Sequence, residues 1–95
     1  LVPGSAVLGL AEVLTFGAKK YAAHNWRKGL NYSRVYSALQ RHLLAWHGGE
    51  THDPESGIHH LKHAMCNLAF LLDFECNPTE YSKFNDLFKR ESKNG

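Results

Sequence analysis

Several classes are excluded by what this chain has little of. Cysteine is scarce: only Cys66 and Cys76 occur, ten positions apart. Two thiols make a thin disulfide framework for a secreted domain, so reduced thiols and a cytoplasmic setting are expected. Long hydrophobic runs are missing too. The longest, LAFLL at 68–72, is far short of the roughly 20 residues that span a bilayer. No basic segment precedes an apolar stretch in the manner of a signal peptide, so no membrane partner is expected. Charge of one sign is also lacking. The formal balance is +2 with histidine neutral, and there is no basic stripe of the kind that binds a nucleic-acid polymer. Strand-like alternation, internal repeats and low-complexity stretches are absent. So are the Walker A phosphate loop and the HEXXH zinc motif.

What remains is ordinary globular material, 43% hydrophobic and 21% charged over 95 residues, which reads as a single domain over 1–95. A chain of this size buries only about 60–65% of the surface its unfolded form exposes. A lone core is therefore marginal, and a homodimer or homotetramer is expected. The chain starts at Leu1 rather than methionine, and residues 1–5 are expected to be a leader or a disordered end.

Periodicity predicts an all-α chain of four helices, a bundle or half of one. The first covers about 6–21, with Val7, Leu10, Leu14 and Ala18 on one stripe and Lys19 and Lys20 at the C-terminal end, where cations oppose the helix dipole. Residues 23–33 lack periodicity and read as a loop. Ser33 is the expected N-cap of a second helix to about 47, with Val35, Leu39, His42 and Trp46 facing inward. Asp53-Pro54-Glu55 has the grammar of a helix start, giving a third helix over about 53–75. Its expected core stripe is Ile58, Leu61, Met65, Leu68 and Leu72. Asn77-Pro78 repeats the grammar, and Tyr81, Phe84 and Phe88 line the inner face of the fourth helix.

One concentration stands out. Six of seven histidines, namely His42, His47, His52, His59, His60 and His63, fall within twenty-two residues, together with Glu50, Asp53 and Glu55. His60, His63 and Asn67 share one face of the third helix, and Phe70 and Phe74 continue that line into apolar territory. Polar groups in such a place need partners, since burying them unmatched costs about 1–3 kcal/mol each. His42 on the second helix and the carboxylates Glu50 and Asp53 are the expected partners. Two readings follow. In one, the histidines satisfy one another and the acids are helix caps. In the other, the acids of GETHD hold a hard cation, Mg²⁺ or Mn²⁺, and imidazoles orient water or neutralise phosphate. His60 and His63 are also a starting point for a structural zinc site in a helical assembly protein. His52-Asp53 spells the dipeptide of the HD phosphohydrolases, although Asp53 is also explained by capping and the chain is short for that fold. The segment KKYAAHNWRKG packs cations among aromatics, which reads either as a solvated turn anchored by Trp26 or as a polyphosphate clamp.

Three segments, FGAKKYAAHNWRKGL, RHLLAWHGGETHDPESG and HLKHAMCNLAFLL, in this order, resemble the phage and bacterial dATP/dGTP diphosphohydrolase family. That family is similar to the MazG-like all-α nucleotide pyrophosphohydrolases. The resemblance implies metal-dependent hydrolysis of a purine deoxynucleoside triphosphate, dGTP or dATP, to the monophosphate and pyrophosphate, by a homo-oligomer in the cytoplasm of a bacterial host. The chain departs from the MazG pattern in having no EExxE helix; Glu50 and Asp53 match an ExxD spacing but straddle a helix end, and Glu12 is a spare acid on the first helix. On this reading Glu50, Asp53 and His63 hold the metal, and Glu55 is a further ligand or the base. Lys19, Lys20, Arg27 and Arg41 hold phosphates. His42 and His60 complete the polar shell, Asn25 and Asn67 read sugar or base, and Trp26 stacks on the base. A non-catalytic nucleotide-binding module is the alternative of another class.

Overall fold

The computed structural model describes residues 1–87 and is all-helical, with no strand among the described residues. Helix α1 spans Gly4–Lys20, and a short 3-10 turn Asn25–Lys28 follows. Helices α2 (Tyr32–His47) and α3 (His60–Cys76) come next, and α4 is a single turn, Pro78–Tyr81, continued by a 3-10 turn Ser82–Phe84. Phe88, expected on the fourth helix, lies outside the described residues.

The frame is the pairing of α2 with α3. Val35 shares a cluster with Phe74, whereas His42, two turns on, meets His60 near the start of α3, so the helices run antiparallel. The core gathers at one end of this pair: Tyr32, Val35, Phe74 and Tyr81 are buried, with Trp26, Leu30, Phe70, Leu71, Phe84 and Leu87 packed around them. Phe74 is wholly enclosed, stacked on Tyr32 at 5.7 Å and close to Tyr81 at 4.6 Å. The Tyr81 hydroxyl donates to the Arg27 carbonyl at 2.9 Å, tying the short C-terminal turn to the loop before α2. Helix α1 leans on α3 through Gly9, whose bare backbone lets Lys62 and Met65 approach closely.

Two apolar stripes differ from expectation. On α3, Leu61, Leu68 and Leu72 are exposed, Leu72 by 65%, and the buried line runs through His60, Ala64 and Phe74. On α1, Val7 and Leu14 are exposed, and Gly9 is the one buried residue. Both helices are apolar on more than one face, and the partner helix selects which is covered. Trp46 is also more exposed than its register on α2 implied.

Helix starts move as well. The N-cap of α2 is Asn31, and Ser33, the second helical residue, gives its backbone N–H and hydroxyl to Asp86 at 2.9 and 2.6 Å. Those bonds hold the Asp86 carboxyl below its usual range. The third helix begins at His60, not Asp53. Asp53 instead closes a turn: its Oδ1 accepts from the Glu55 N–H, its carbonyl from Gly57, and its N–H donates to the Ile58 carbonyl. Gly57 sits at φ +74°, a left-handed conformation that ends helical propagation. The true cap is His59, whose Nδ1 accepts from the Leu61 N–H at 3.0 Å. Cys66 and Cys76 are both free thiols; burial pushes the Cys66 thiol up to about 11. No described helix is long and apolar enough to cross a membrane.

Candidate functional site

Opposite the aromatic end of the α2–α3 pair, the same two helices carry polar residues, and the C-terminal end of α1 with the loop after it closes over them. Between these elements lies a cavity of about 790 Å³, within the ~300–1,000 Å³ usual for small-molecule sites. Its wall brings together nine expected residues, Lys20, Asn25, Trp26, Arg41, His42, Asp53, Glu55, His63 and Asn67. Thr15, Phe16, His24, Arg34 and Phe70 line it too.

Each group is placed by local structure. Arg34 and Arg41 are seven apart on α2, two turns along one face. Lys20 closes α1 and pairs with Glu55 across the cavity at 2.9 Å; that hydrogen bond raises the lysine above its ordinary range. The pair is exposed and so contributes little to stability, leaving Lys20 free to exchange Glu55 for an anion. Trp26 stacks on Phe70 at 4.8 Å, and the Arg27 guanidinium lies 4.6 Å from the indole centre.

The imidazoles form a connected group. His42 Nδ1 lies 2.9 Å from His60 Nδ1, and His60 Nε2 lies 2.7 Å from Glu50 Oε1. His42 also stacks on His63 with ring centres 4.6 Å apart and planes within 8°. His63 Nε2 meets the Ser56 hydroxyl at 2.7 Å and faces Asp53 Oδ2 at 3.7 Å, while Phe16 touches its ring edge-on. Burial, with help from neighbouring His63, Arg41 and His60, drives the His42 pKa down to about 4. His63 is lowered for the same first reason, with Asp53 opposing. Both rings are therefore neutral near pH 7, when they accept as well as donate hydrogen bonds.

Not every expected residue reaches the cavity. Lys19 is exposed on α1, Arg27 is spent on the Trp26 face, and His60 and Glu50 stand one and two hydrogen bonds behind His42. Within the trio Glu50, Asp53 and His63, Asp53 faces His63 at 3.7 Å whereas Glu50 bonds to His60 instead. Among the described residues no three His, Cys, Asp or Glu side chains are arranged to hold a metal ion. Sequence reasoning passed over Arg34, although its spacing to Arg41 was a usable signal. It also passed over Ser56 and Phe16, which no motif marks.

A sequence model of the family described as "dATP/dGTP diphosphohydrolase, N-terminal" matches residues 1–84. The chain belongs to this family. It is also similar to a dATP/dGTP diphosphohydrolase of Salmonella phage PMBT28, 40% identical over 62 residues, which is 65% of this chain and 21% of that protein. The matched stretch thus spans about a fifth of the relative's length. No solved structure matches the chain.

Proposed function

We propose that the cavity binds a purine deoxynucleoside triphosphate, dATP or dGTP, and that its hydrolysis releases the monophosphate and pyrophosphate. The observation that carries this reading is the composition of the cavity lining. Lys20, Arg34 and Arg41 share a single cavity with neutral His42 and His63, with Asn67, and with Trp26, Phe70 and Phe16. Cations fit phosphate oxygens, with arginine forks the better match; the aromatic residues fit a base and its sugar. The relative's printed name agrees with a substrate of this class.

Hydrolysis of a phosphoanhydride depends mainly on positioning and charge. Lys20 and the two arginines supply both. Among the described residues no protein cage is formed for the Mg²⁺ or Mn²⁺ expected from sequence, but a cation carried on the substrate's phosphates needs only one or two protein carboxylates. Asp53 and Glu55, which both line the cavity, would hold such a cation there. Bound there, the cation would neutralise charge on the phosphate oxygens.

The test is direct. Purified protein given dGTP or dATP with Mg²⁺ should release pyrophosphate, and Arg41→Ala should weaken triphosphate affinity by about tenfold while sparing the fold. Asp53→Asn should slow turnover at least tenfold. Calorimetric binding without any product would instead establish a nucleotide-binding module, the reading that the missing EExxE helix favours.

A further inference from the structure

The cavity has an order along its length, and α3 sets it out. His63, Asn67 and Phe70 all line the cavity from this helix, at spacings of four and three. A helix rises about 1.5 Å per residue, so Asn67 stands about 6 Å along the axis from His63 and about 4.5 Å from Phe70. The His63 end is the charged one. Asp53 faces His63 at 3.7 Å, and Glu55 of the same turn pairs with Lys20 at 2.9 Å. Arg41 precedes His42, whose ring stacks on His63. The Phe70 end is aromatic, with Trp26 stacked on Phe70 at 4.8 Å. Arg34 also lines the cavity, two turns before Arg41 on α2; the charged end is defined by Lys20 and Arg41. Asn67 supplies an amide between the two ends. That amide makes no hydrogen bond among the described residues, yet no buried polar side-chain atom there lacks a partner. The half-buried Asn67 side chain is therefore open to the cavity it lines.

We propose that the Asn67 amide hydrogen-bonds the 3′-hydroxyl of the deoxyribose and makes the protein select nucleotides that carry this hydroxyl. The inference rests on the proposed binding of a purine deoxynucleoside triphosphate. Such a molecule is itself ordered, with phosphates at one end, the base at the other and the sugar between. Laid along α3, its phosphates meet Lys20 and Arg41 and its base meets the aromatic end, which leaves the sugar opposite Asn67. The step of about 6 Å from His63 to Asn67 has room for a sugar ring, not for sugar and base together. The 3′-hydroxyl is the one group of the deoxyribose that both donates and accepts hydrogen bonds. An amide does the same through its two ends. The pair therefore matches whichever way the amide is turned, and no ionisation enters. A site that hydrogen-bonds a substrate hydroxyl rejects the analogue lacking it, because its own polar group is then left unpaired.

The experiment compares dGTP and dATP with their 2′,3′-dideoxy counterparts, which differ by that hydroxyl alone. Wild-type protein with Mg²⁺ should show a kcat/KM for pyrophosphate release about tenfold higher for the deoxynucleotide, the size of one hydrogen bond. Calorimetric affinities give the same ratio where binding occurs without turnover. In Asn67→Leu, which keeps the shape of the side chain, the preference should shrink to within about twofold. Asn67→Ala, a better helix former, supplies the ratio if the leucine variant does not fold. Wild-type protein that treats deoxy and dideoxy nucleotides alike refutes the proposal. So does a variant that weakens both by the same factor, since the preference then survives and Asn67 serves the base or the packing instead. Either result leaves the triphosphate reading standing. Wild-type protein that neither binds nor hydrolyses dGTP or dATP overturns both.

Discussion

His42 and Phe74 occupy opposite ends of the same helix pair and show how differently burial acts on two side chains. Phe74 is fully enclosed among Tyr32, Trp26 and Tyr81, and its burial adds to the core with no polar atom to satisfy. His42 is nearly as buried, but burial there suppresses its charge and lowers its pKa from 6.5 to about 4. Between those two values the unfolded chain binds a proton that the folded chain refuses, so stability rises with pH across the window. The contribution of neutral His42 is fully present above pH 6.5 and is lost as pH falls toward 4, and His63 acts in the same direction. For His42 the loss is of order 3 kcal/mol. Urea midpoints measured between pH 7.5 and 4.5 should fall steeply, and His42→Phe should flatten that dependence. A midpoint that does not change over the range would contradict the neutral, buried ring.

At the level of elements, the connections decide as much as the helices. Gly29 joins the 3-10 turn to α2 at φ +99°, and a Cβ there would collide with the Phe84 ring. Gly29→Ala should therefore cost about 1–3 kcal/mol, from backbone strain and the displaced ring. Gly17 is the control: it lies within α1 with nothing near its missing Cβ. Gly17→Ala should stabilise the protein by about 0.5–1 kcal/mol, the ordinary helix preference for alanine. Equal effects of the two substitutions in denaturant titrations would contradict the placement of Phe84. The existence of α1, α2 and α3 was legible because apolar residues recur at three and four throughout them. The start of α3 was not, since Asp53-Pro54-Glu55 is equally good grammar for an Asx turn, and Gly57 and the His52–His59 bridge tip it that way.

For the molecule as a whole, exposed apolar surface remains to be explained. Val7, Leu8 and Leu14 on α1 and Leu61, Leu68 and Leu72 on α3 are open to solvent. Self-association into a symmetric dimer or tetramer is the proposed outcome. Sedimentation at micromolar concentration should show species heavier than 10.7 kDa; a strictly monomeric protein would end that proposal. The sequence by itself determined the helical class, the inward polar line of His60, His63 and Asn67, and the gathering of acids and imidazoles in one short stretch. These depend on helical periodicity, which every residue carries locally. Which apolar stripe is covered, which carboxylate meets which imidazole, and which arginines reach the cavity were decided only when α2 packed antiparallel to α3 and α1 closed over them. Contacts between residues 10 to 50 positions apart depend on how helices approach one another in space, and no local periodicity encodes that.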